Sequence, residues 1–264
     1  MMRIVFAGPS LAGENLDVHD GFEFRPPVKQ GDLYLAAMDN PTAIGIIDGV
    51  FDGVPSVWHK EILWALSLDI PVYGSASMGA LRAAELDSFG MVGIGAIYEA
   101  YRDGVLEDDD EVALQHGPAE IGYAPLSLPM VNVRATLLEA ERAGVLTKDQ
   151  CKALAAAAKP IFFKQRTWDA VLERQSAVQD QAVLLEWLKR NDVDQKKQDA
   201  LTLLAHMKDA GIGPSADFDF EHTELWQRGV TEWQSRAPVA ETAEDGAYRL
   251  VPHERLFRWS GSEE

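Results

Sequence analysis

The chain has 264 residues, 47% of them hydrophobic, and its 42 acidic against 24 basic side chains give a formal charge of −18. A chain of this size can bury a core without disulfides or structural metals, and its acidic excess argues against binding a phosphate backbone. One cysteine, Cys151, excludes an intramolecular disulfide and a cysteine-cluster metal site, and no run approaches 18 uninterrupted apolar residues.

Residues 2–7 read as a buried strand ended by Gly8-Pro9, without the cleavage region of a secretory leader, so the expected location is cytoplasmic. Gly8 and Gly13 suggest a phosphate loop, but Glu14-Asn15 stands where Lys-Ser/Thr is required, and a nucleotide site of that type is rejected. Gly8, Pro9 and Ser10 fit either an ordinary strand-ending turn or a pocket wall, because the loop after the first strand of a parallel sheet lies at its ligand-binding edge. Phe22–Phe24 alternates like a short strand, Gly31–Met38 like a helix, and Ala43–Ile47 like a second buried strand that Asp48-Gly49 turns. Asp48 is thus either a strand-end functional carboxylate or a turn cap.

A helix starting at Pro55-Ser56 is apolar around most of its girth through Trp58, Ile62, Leu63, Trp64 and Leu66. Lys60 within it is either a surface cation beside Glu61 or an amine whose pKa is lowered by apolar surroundings and which can serve as a base. His59 is a weaker candidate for the same role. A short strand at Val72 then passes through Gly74-Ser75-Ala76-Ser77 into an Ala/Leu/Arg/Glu-rich helix. A serine at that junction suits a nucleophile, with backbone N–H groups near Met78 and Gly79 to hold an oxyanion, or it is simply a helix cap. The G-x-S-x-G elbow is incomplete, since Ser75 replaces its first Gly.

Farther on, a helix is expected near Ala96–Tyr101. The acids Glu107 to Glu111 read as a solvated turn rather than a metal site, and Val112–Gln115 as a strand ended by His116-Gly117-Pro118, with His116 a candidate proton carrier. From Met130 the pattern is helical: Val131–Ala143, Lys148–Ala158, Arg166–Gln175, Asp180–Lys189, Gln195–Ala210 and Glu221–Arg236. The β-α alternation predicts an α/β fold, a mostly parallel sheet flanked by helices in residues 1–130, then an all-helical region at 131–236 and a mobile tail at 237–264. The charge is uneven as well, with 20 acidic and 6 basic side chains in residues 1–130.

The strings Val5-Phe6-Ala7-Gly8-Pro9-Ser10-Leu11, Ile46-Ile47-Asp48-Gly49-Val50-Phe51, Val57-Trp58-His59-Lys60-Glu61-Ile62, Ala76-Ser77-Met78-Gly79-Ala80-Leu81-Arg82-Ala83-Ala84-Glu85, Phe89-Gly90-Met91 and Glu107-Asp108-Asp109-Asp110-Glu111-Val112 resemble the core of the TfuA-like family over roughly residues 2 to 135. That resemblance implies a partner of YcaO enzymes, which activate a peptide amide with ATP so that sulfur replaces its oxygen. It implies release of sulfide from a thiocarboxylated, ubiquitin-like sulfur carrier, the peptide being met only through YcaO; no cofactor or metal is expected from the residues read above. A serine-lysine pair is attributed to the family, and the matching motifs map it onto Ser77 and Lys60, with Arg82 and His116 as auxiliary groups. The other reading is a docking subunit without catalysis that strengthens YcaO's hold on its peptide. An amidase using Ser75, Ser77 and Lys60 ranks behind both.

Overall fold

The computed structural model describes residues 2–175, 180–209 and 220–236. The expected tail, 237–264, lies outside them. Five parallel strands form the sheet: β1 (Arg3–Phe6), β2 (Phe22–Arg25), β3 (Ala43–Ile46), β4 (Val72–Ser75) and β5 (Val92–Ile94), in the spatial order β2-β1-β3-β4-β5. Strand β3 is buried at every position, which its continuous apolar run requires of a strand covered on both faces. Strand β5 has only a weak signal, because Gly93 interrupts it; a Cβ there would meet the Tyr98 ring at 2.2 Å.

Alternate strand residues divide the core in two. Ile4, Phe6, Ile44, Ile46 and Val72 pack with α1 (Asp32–Met38), α2 (His59–Ser67), α3 (Met78–Leu86) and α4 (Ala96–Arg102). Val5, Ala43 and Tyr73 face Ala200, Leu203, Leu204 and Met207 instead. Those four residues belong to a late helix, so the division at residue 130 needs correction: the second face of the sheet is closed from the helical region. Between lie α5 (Met130–Arg142), α6 (Lys148–Ala158), α7 (Trp168–Glu173) and α8 (Gln181–Arg190), which share a core of Leu137, Leu154, Trp168, Val171 and Leu188. Then come the sheet-covering helix α9 (Gln195–Asp209) and α10 (Glu224–Arg236). The buried Cys151 thiol donates to the Leu137 carbonyl at 3.2 Å, a packing role.

Helix α10 lies on α1 and α2, where Tyr34, Trp58, Trp64, Trp226 and Trp233 form an aromatic corner. Gly31 admits the Trp233 ring: its φ is +94°, and a Cβ would stand 2.5 Å from that ring. Beneath the corner the fully buried Glu61 accepts from the N–H groups of Gly31, Trp58 and Tyr34. Burial pushes its carboxyl up to about 7, against the opposing pull of those three donors.

The acidic cluster is a solvated turn only in part: Glu107, Asp108 and Asp109 are exposed. Glu111 is buried and bonded to Arg134 and Lys159, while Asp110 takes both oxygens to the fully buried Arg166. Nor is Val112–Gln115 a strand; it is an extended loop with the Gln115 N–H spent on Ser127 Oγ. Ion pairs fix this loop where sheet pairing was expected, and it runs along the edge of a cavity.

Candidate functional site

In this strand order the connections change direction between β1 and β3, and ligand crevices of open parallel sheets form outside the carboxyl ends of strands at such a point. Asp48 follows β3 there, 1% exposed. One carboxylate oxygen accepts from the Gly8 and Ser10 N–H groups, both at 2.9 Å, and the other from Ser10 Oγ at 2.7 Å. The loop after β1 is thereby folded around a buried charge. Lys196, in the first turn of α9, sets its Nζ 3.7 Å from Asp48 Oδ1 and donates to the Val112 carbonyl at 2.9 Å. It is 2% exposed. Burial pulls its ammonium below the ordinary lysine range, opposed by the charges of Asp48 and Asp194.

Ser77 enters from the strand-to-helix turn. Ala76 has a φ of +63°, a conformation that costs a non-glycine residue about 1 kcal/mol or more, and Ser77 N–H closes a tight turn onto the Ser75 carbonyl at 2.7 Å. Helix α3 drops almost onto the sheet: a Cβ on Gly79 would stand 1.7 Å from the Ile46 oxygen, and one on Gly74 2.1 Å from the Gly79 oxygen. Ser77 is 1% exposed, stands at the N-cap of α3, and makes no side-chain cap bond. A cap that does not cap leaves its hydroxyl available for chemistry.

Ser77, Asp48 and Lys196 line one cavity of about 190 Å³, together with Pro9, Gln115, His116, Lys164 and Asp52. The volume is below the roughly 300–1,000 Å³ of most small-molecule sites and suits the end of a chain better than a whole ligand.

The expected residues divide sharply. Gly8, Pro9, Ser10, Asp48, Ser77 and His116 meet at or beside this cavity. His116 is among the lining residues, its Nδ1 donating to the Gly117 carbonyl at 2.7 Å. Gly79 is not an oxyanion donor, because its N–H is directed at the Ile47 carbonyl at 3.3 Å; Met78, next along the turn, makes no backbone N–H bond among the described residues. Ser75 is structural, its hydroxyl shared between the Ile94 and Asp199 carbonyls. His59 and Arg82 both bond Glu85 on the surface, at 2.8 and 2.7 Å.

Lys60 requires the largest correction. Its Nζ donates to the Glu221 carbonyl at 2.6 Å and lies 5.7 Å from the centre of the Phe220 ring, in the aromatic corner. The apolar girth of α2 that suggested a dry pocket serves instead as the seat of α10. Lys196, which the cavity holds, has a signal of its own: Lys196, Asp199, Ala200, Leu203, Leu204 and Met207 are the buried face of α9, so extending the apolar stripe backward by one turn reaches it.

Among the described residues there is no cluster of three or more His, Cys, Asp or Glu side chains able to hold a metal, and no helix long and apolar enough to cross a membrane. No curated protein matches the chain. Residues 48–167, from the Asp48 turn to the segment carrying Lys164 and Arg166, match the family model described as TfuA-like protein, so that this segment of the chain is TfuA-like.

Proposed function

We propose that this protein is a hydrolase that releases sulfide from the thiocarboxylated C-terminal glycine of a ubiquitin-like carrier, in support of a YcaO-type enzyme that thioamidates a peptide. The TfuA-like segment, residues 48–167, supports the YcaO partnership. The observation that carries the hydrolase reading is a buried serine hydroxyl, unused as a cap, in one cavity with a buried lysine of lowered pKa. Lys196 takes the place first given to Lys60.

In this reading the Ser77 oxygen attacks the thiocarboxylate carbon while neutral Lys196 accepts the hydroxyl proton. Asp48, 3.7 Å away, stabilises the ammonium as it forms. The Met78 N–H, at the start of α3, is the candidate donor to the developing oxyanion. Collapse breaks the carbon–sulfur bond, and the proton held by Lys196 goes to sulfur, so that hydrosulfide leaves rather than the far more basic dianion. Water then hydrolyses the serine ester, returning the hydroxyl and freeing the carrier carboxylate.

The test is sulfide release from thiocarboxylated carrier without YcaO or ATP. Ser77→Ala and Lys196→Met are expected to lower turnover by about 100-fold or more, and Lys60→Met to leave it within about twofold. Wild-type release from both of the first two variants, shown folded by circular dichroism, would overturn the assignment and leave the non-catalytic docking role that the TfuA-like segment also fits.

A further inference from the structure

Lys164 stands at the mouth of the same cavity, on the short turn Phe163–Gln165. Its Nζ is paired with Asp52, which also lines the cavity, and the two side chains are 38% and 60% exposed. The ammonium lies 5.7 and 6.0 Å from the ring centres of Phe163 and Phe162. Two residues on, Arg166 is fully buried and tied to the Leu128, Ala158 and Ile161 carbonyls and to Asp110. A side chain free to move thus extends from an anchored turn.

The charges of the lining set a problem for any anionic chain end. The two lysines among its lining residues, Lys196 and Lys164, each face a carboxylate, Asp48 and Asp52, and the chain as a whole carries −18. An anion that enters must take over a cation already in use. Lys196 is buried and also committed to the Val112 carbonyl. Lys164 is the exchangeable one: releasing Asp52 returns an exposed carboxylate to water at small cost, the ammonium stays near the Phe162 and Phe163 rings, and the new partner meets it in a less solvated setting, where a charge-assisted hydrogen bond is stronger.

We propose that Lys164 reads the negative charge of the chain end entering the Ser77 cavity, by exchanging its ion pair with Asp52 for the terminal carboxylate or thiocarboxylate. The choice of ligand rests on the hydrolase reading, but the test does not depend on turnover. A ubiquitin-like carrier ending in a glycine carboxylate, the product form, is titrated calorimetrically against the protein beside the same carrier ending in a glycine amide. The wild type is expected to bind the carboxylate form about fivefold or more tightly than the amide. Lys164→Ala should bring the two forms within about twofold, Lys164→Arg should keep the preference, and Asp52→Asn should strengthen carboxylate binding by removing the competitor. The proposal is overturned if the wild type binds neither form or shows no preference, if Lys164→Ala retains the preference, or if Asp52→Asn weakens carboxylate binding. A wild type that releases sulfide without this preference loses the Lys164 assignment alone; one that shows the preference without release loses the catalytic reading alone.

Discussion

The cavity at the carboxyl edge of the sheet and the aromatic corner on α1 and α2 each hold a lysine under a helix from the far end of the chain, and the two amines are treated differently. In the corner, Lys60 bonds a main-chain carbonyl at the protein surface and lies beside Phe220, so the side chain serves as packing. In the cavity, Lys196 is stripped of water and faces one carboxylate, with burial pulling its pKa down. Apolar neighbours alone therefore do not make a lysine a base. The amine must also be buried, and here the late helices decide that: α10 leaves Lys60 at the surface, whereas α9 carries Lys196 inward on its own buried face.

The comparison is broken most forcefully by removing the packing of the corner. Trp233 is 2% exposed and fills the space over Gly31, so Trp233→Ala should cost about 3–5 kcal/mol. For a chain of this size that is a fall in thermal midpoint of roughly 10 °C, measurable by calorimetry. Below the midpoint, turnover of thiocarboxylated carrier should stay within about twofold of wild type. A folded variant that loses turnover as Lys196→Met does would show that the corner and the cavity act as one unit.

A smaller effect tests the cavity through its pH profile. As a base, Lys196 acts when neutral, so kcat/KM should rise with pH through its folded-state pKa and level off above it. Asp48→Asn removes the carboxylate that favours the ammonium; the pKa then falls further and the rising limb moves to lower pH, by roughly one unit. A limb that stays in place, with the variant folded, would mean that Lys196 is not the group titrating in it.

How much of this was legible in sequence depends on how local the signal is. Ser77 and Asp48 could be placed because each ends a short apolar strand, and β4 running into α3 carries its own start and stop residues. Ser10 was legible only as a neighbour of Gly8, since its bond to Asp48 joins two loops. Lys196 stands in the polar run Gln195-Lys196-Lys197-Gln198, which reads as a solvated helix start until it is aligned with Ala200 and Leu203 one and two turns later. The acidic run at 107–111 misled for the same reason: Glu111 and Asp110 find Arg134, Lys159 and Arg166 only in the folded chain. Lys60 shows the converse error, a local pattern that is real but completed by a helix more than a hundred residues away.

Lys60→Met is the mildest change and the sharpest check on the contrast between the two lysines. Methionine keeps an unbranched stem of similar length beside Phe220, so the loss is confined to the bonds to the Glu221 carbonyl and Thr223 Oγ1 and to the ammonium over the ring. The carbonyl is exposed and regains water when the amine is gone, leaving a cost of about 0.5–1 kcal/mol. The denaturation midpoint should therefore move slightly, and kcat and KM for the carrier hardly at all. A tenfold fall in kcat with the midpoint preserved would mean that this amine reaches the reacting carbon in solution, and the base would have to be reassigned to α2. Unchanged kinetics beside inactive Lys196→Met would instead leave catalysis with the lysine buried in the cavity wall.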